Sequence, residues 1–162
     1  MKFLVSLFII FSVPAYAQDS FSNVRSIITE ADSVIIVRHE TLLVPGKPGR
    51  VSTTKKIVIN EKPNYSIILQ SHKLDQKSID SVVFILTKNP HGDIVTMNCF
   101  EPHHTIYIFK KETLSYLDIC FGCHRFSKST DIKTGGHELT NETWIELESF
   151  FARRKIDNKN AF

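Results

Sequence analysis

The stretch YLDICFGCHRF, residues 116–126, sets Cys120 and Cys123 three positions apart with His124 directly after them. Several chemistries use residues of these types at such spacing. A Cys-x-x-Cys-His run attaches haem through two thioethers, with His124 as the axial imidazole and Met97, His103 or His104 as sixth ligand. A Cys-x-x-Cys pair alone does thiol redox work when it opens a helix, whose N-terminus lowers the thiol pKa. Joined by Cys99 and His104, the same two cysteines supply the four sulfur and nitrogen ligands of a tetrahedral zinc site. Cys99 with Cys120 or Cys123 also makes a structural disulfide.

The flanking residues weigh these chemistries against one another. HRFSKSTDIK, after the motif, makes a poor helix, which counts against thioredoxin-like catalysis. SYLDIC enters the motif as a strand, whereas haem domains wrap their group in helices; haem also leaves Cys99 unused. The spacing is irregular for zinc, and exposed thiolates in an oxidising compartment oxidise before metal arrives. A Cys–His hydrolase pair, Cys99 or Cys123 with His104 as base, lacks a placed orienting carboxylate. Surface solvation accounts for Glu101, Asp118 and Glu138 more cheaply, and His39, His72, His91 and His137 are scattered. Two expectations lead: a zinc-like metal held by Cys99, His104, Cys120 and Cys123, or closure by a disulfide. The alternatives are a monohaem carrier through Cys120, Cys123 and His124, and a structural or interaction module that a disulfide braces with no cofactor. An enzyme is not the leading expectation.

Positioning these residues falls to the rest of the chain. Lys2, the apolar run from Phe3 to Val13 and Ala15-Tyr16-Ala17 form a secretory signal peptide, residues 1–17, with cleavage after Ala17. Its core is too short to span a bilayer, so residues 18–162 are expected as one exported α+β domain, periplasmic or extracellular, with no membrane span. Three cysteines in such a compartment form one internal disulfide at most and leave one thiol. The net charge of +3 is too small to imply nucleic acid, and the basic C-terminal FFARRKIDNKN reads as a solvated helix end.

Helical spacing marks FSNVRSIITEA, then LDQKSIDSVVFILT with Asp75 as cap and Asn89-Pro90 as stop, then NETWIELESFFARR behind Thr140 or Asn141. Capping also accounts for the Asn141-Glu142-Thr143 glycosylation pattern. Strand composition marks SVIIVRHE, a KKIVIN and YSIILQ pair joined through EKPN, DIVTMNC, and HTIYIFK with SYLDIC around a KET turn. LLVPGKPGRVSTT and SKSTDIKTGGHELT read as loops. The sum is an antiparallel sheet with hairpins and two or three flanking helices.

In the last hairpin, counting outward from the turn puts His104 opposite Ile119, Cys120 or Phe121. The open end of the hairpin then gathers His103, His104, Cys120, Cys123 and His124, with Cys99 arriving through CFEPHH, where Pro102 fixes the approach. This stretch resembles a group of small exported bacterial proteins without an assigned function, whose pattern is C-[FY]-x-P-x-H, a hairpin, then I-C-F-x-C. The matching positions are Cys99, Pro102, His104, Ile119, Cys120, Phe121 and Cys123, within a resemblance over about residues 75–125. It implies no activity. It leaves His124 outside the shared pattern and favours His104 over His103 as the partner of the cysteines.

Overall fold

The computed structural model describes residues 23–44, 53–88, 92–133 and 139–156. Five strands form the main sheet: β1 (Ser33–His39), β6 (Ile68–Lys73), β7 (His104–Lys110), β8 (Thr113–Cys120) and β9 (Arg125–Lys128). Their order is β6-β1-β7-β8-β9, and every neighbouring pair is antiparallel. Two-residue ladders β2 (Leu43–Val44) with β3 (Thr53–Thr54) and β4 (Val58–Ile59) with β5 (Lys62–Pro63) lie in the connection from β1 to β6. Helices α1 (Val24–Thr29), α2 (Gln76–Thr87) and α3 (Asn141–Ala152) complete the α+β fold expected from the sequence.

Alternation along the strands decides what each sheet face buries. Val34 and Ile36 of β1, Ile106 and Ile108 of β7, and Leu117 and Ile119 of β8 share a face, because Ile36 pairs with Ile106 and Ile106 with Leu117. Against it pack Val24 and Ile28 from α1, Ile79, Val82, Val83 and Leu86 from α2, and Trp144, Leu147, Phe150 and Phe151 from α3. Both longer helices start where the sequence placed their caps. Asp75 accepts from the Ser78 amide at 2.8 Å, and Thr140 from the Thr143 amide at 3.4 Å. The opposite sheet face carries Thr105, Tyr107, Tyr116 and Asp118, beside a smaller apolar cluster of Leu42, Ile57 and Ile67.

Three segments differ from their sequence reading. The turn of the KKIVIN region is Asn60-Glu61, both at positive φ as a tight hairpin requires. Tyr65–Ile67 then makes a 3-10 turn, and β6 pairs with β1 instead. DIVTMNC is no strand: all of residues 92–100 are exposed, so the segment has no apolar face to lay on a sheet. RFSK, whose Ser127-Lys128 were read as the start of a loop, is the edge strand β9. The signal peptide, Asn89-Pro90, His91 and residues 134–138 lie outside the described residues.

Candidate functional site

The β7–β8 hairpin has the register its turn implies, with His104 opposite Ile119. A second hairpin follows at once. Cys120 pairs with Arg125, so Phe121, Gly122, Cys123 and His124 form a four-residue turn between β8 and β9. Cys-x-x-Cys therefore sits at the end of a strand and in a hairpin turn, and does not open a helix as a thioredoxin-like pair does. The turn closes with the His124 amide donating to the Phe121 carbonyl at 3.4 Å and His124 in the left-handed region, φ 51°.

Segment 92–101 is held beside this turn by two hydrogen bonds. The Met97 amide donates to the Cys123 carbonyl at 3.1 Å, and His124 Nδ1 donates to the Val95 carbonyl at 3.0 Å. A carbonyl only accepts, so Nδ1 carries the proton. The other face of the His124 turn rests on α3, where the imidazole stacks on Trp144 with ring centroids 5.5 Å apart and planes 7° from parallel. Ile94, Val95, Met97 and Phe100 remain exposed along the segment.

These attachments bring Cys99 to the motif. The sulfurs of Cys99, Cys120 and Cys123 lie within 4.8 Å of one another, and among the described residues they are the group able to hold a metal ion. Cys99 is exposed, whereas Cys120 and Cys123 are 4% and 3% exposed. The Cα of Cys123 is 5.8 Å from that of Cys99 and 5.3 Å from that of Cys120, both within the span a disulfide bridges. The Cys123 sulfur contacts both others, yet one sulfur holds one such bond.

The imidazoles distribute differently from the expectation. His104 faces the helices, its ring 4.9 Å from Phe121 and 5.5 Å from Phe151, and it stands outside the three-sulfur group. Alternation puts Cys120 on the other sheet face, with Asp118. His103, the neighbour of His104, is half-buried, stacks on His39 at 6.5 Å and lies 3.9 Å from Glu101. Burial holds the His103 imidazole below its usual pKa, against the pull of Glu101.

One cluster escaped the sequence reading. Asp118 is not a solvated surface carboxylate: it is 3% exposed and accepts from Thr105 Oγ1 at 3.0 Å while lying 3.2 Å from His39 Nε2. His39, in turn 1% exposed, has its Nδ1 2.8 Å from the Glu40 carbonyl. A carbonyl only accepts, so Nδ1 bears the hydrogen of that bond. Thr105 donates to Asp118 and not to His39, so the order is not that of a nucleophile activated by a base. Beside them Tyr107 donates to the Ile57 carbonyl at 2.8 Å, and burial, then the charge of Asp118, raises its pKa. The sequence signal was the alternation of Tyr116, Asp118 and Cys120 on one face of β8. Its His39 partner lies 79 residues away.

Fold and site together define an α+β protein with a three-cysteine cluster where two consecutive hairpins meet. No family model, curated protein or solved structure matches the chain.

Proposed function

We propose that the three-sulfur cluster is the functional centre, and that it works as a disulfide centre in an exported α+β protein. The observation that carries this is the position of Cys123, whose Cα lies at bridging distance from both Cys99 and Cys120. An exported protein meets an oxidising compartment, in which two such cysteines join. The bond to Cys99 ties segment 92–101 to the β8–β9 turn, and one of the three thiols is left over. The same three sulfurs are among the positions by which the stretch resembles the small exported bacterial group.

A metal centre is the second reading, favoured by the mutual approach of all three sulfurs. Three thiolates suit zinc, and the fourth position would fall to water or an external ligand, since His104 packs against Phe121 and Phe151. Haem has less support: Cys120 and Cys123 are buried and face each other, and His124 lies flat on Trp144.

Intact mass of the purified full-length product, native and denatured, before and after thiol alkylation, separates these. The disulfide reading expects a mass lower by about two protons than the reduced chain and a single alkylated thiol. A metal increment lost on denaturation, with all three thiols then alkylated, would replace it by the metal reading. An adduct of haem size surviving denaturation would replace both.

A further inference from the structure

The three sulfurs differ in access, with Cys99 on the surface and Cys120 and Cys123 inside. Resting on the disulfide reading above, we propose that the cluster is an exchange relay that carries a disulfide bond from the surface to the interior. Its substrate class is an external disulfide, R–S–S–R, small or extended enough to reach Cys99.

Each step forms one S–S bond and breaks one. The Cys99 thiolate attacks a sulfur of the external disulfide, giving Cys99–S–S–R and releasing one R–S⁻, which takes up the proton Cys99 gave up. The Cys123 thiolate then attacks the Cys99 sulfur, forming Cys99–Cys123 and releasing the second R–S⁻, protonated at the expense of Cys123. Finally the Cys120 thiolate attacks the Cys123 sulfur, forming Cys120–Cys123 and returning the thiolate and its proton to Cys99. The external disulfide is reduced to two thiols and two cysteines are oxidised. The last step is an isomerisation with no net redox change.

Two features of the site support the sequence of steps. Cys123 lies at bridging distance from both partners, so it is the sulfur able to receive the bond and pass it on. The non-covalent ties from Met97 to the Cys123 carbonyl and from His124 to the Val95 carbonyl hold segment 92–101 in place. Cys99 therefore stays beside Cys123 after the bond has moved to Cys120, and the relay is ready to run in reverse with an external thiol.

The test uses the reduced full chain, treated with oxidised glutathione under native conditions, quenched with acid at intervals, alkylated and mapped by peptide mass. The expected order is a Cys99–glutathione adduct, then Cys99–Cys123, then Cys120–Cys123 with Cys99 alkylated. Cys120→Ala stops at Cys99–Cys123, and Cys99→Ala slows oxidation about tenfold or more, because the remaining thiols are shielded from the reagent. A wild-type disulfide whose partner never changes would overturn the relay, as would a Cys99→Ala chain oxidised as fast as wild type. The wild-type time course needs no variant to fold. A purified protein with metal on three thiols, all alkylated after chelation, would instead overturn the disulfide reading beneath it.

Discussion

Asp118 and His39 illustrate how much of a residue's role depends on its surroundings. On paper both are ordinary polar side chains, and the cheapest account of each is solvation. In the fold they are buried against each other, with Thr105 donating to Asp118 and the Glu40 carbonyl accepting from His39. Removing one partner leaves the other buried and unpaired, so Asp118→Ala is expected to cost about 3–5 kcal/mol in urea unfolding. His103 contributes a separate pH dependence. Burial lowers its folded pKa, so the unfolded chain takes up a proton more readily near the usual value of 6.5. Stability from this source is full above that pH and declines as pH falls below it, towards the folded pKa. Unfolding midpoints followed from about pH 7.5 to about pH 5 should fall, and His103→Gln should flatten that limb. Asp75, held low by the Ser78 hydroxyl and amide, adds its own decline only below 3.8. Asp131 does likewise, burial there being outweighed by hydrogen bonds from Ser115 and Ser129. The cysteines, by contrast, were legible in the sequence, because their spacing is local and their number small.

Elements were legible where one face is apolar and long enough to show a period. The stripe of Ile79, Val82, Val83 and Leu86 gave α2, and that of Trp144, Leu147 and Phe151 gave α3, since each is buried as the pattern requires. DIVTMNC has strand composition but no face to bury, and it is held by hydrogen bonds to residues far along the chain, from the Asn141 amide to the Asp93 carbonyl, from His124 to the Val95 carbonyl and from the Met97 amide to the Cys123 carbonyl. RFSK is a four-residue edge strand, too short for alternation to stand out, with only Phe126 packing on the core. His124, the residue before RFSK, ties DIVTMNC to α3, since it bonds Val95 on one side and stacks on Trp144 on the other. His124→Ala should therefore cost about 1–2 kcal/mol, from one hydrogen bond and one ring contact. Its signature is faster hydrogen exchange at the Met97 amide, which depends on segment 92–101 staying against the Cys123 carbonyl. Thr140→Ala, which strips the α3 cap, should cost about 1 kcal/mol without that change in exchange.

At the scale of the molecule, the order β6-β1-β7-β8-β9 was not written in any local pattern. Of the four pairings, β7–β8 and β8–β9 join strands adjacent in sequence; β1 reaches β7 across the whole of β6 and α2. The cysteine bonds act at this scale too, and they differ in the length of chain they close. Cys99–Cys123 spans 24 residues and Cys120–Cys123 spans 3. Loop-closure entropy in the unfolded chain makes the first worth about 3.5 kcal/mol and the second about 1.6 kcal/mol. A chain locked in the long loop by Cys120→Ala should thus unfold at a higher urea concentration than one locked in the short loop by Cys99→Ala, by about 1–2 kcal/mol when both disulfides are intact. With the bond reduced, the two variants should lose most of this difference. Because the gain arises in the unfolded state, it does not favour either bond inside the folded protein. The native balance between Cys99 and Cys120 is set by the site itself, where an exposed and a buried sulfur compete for Cys123.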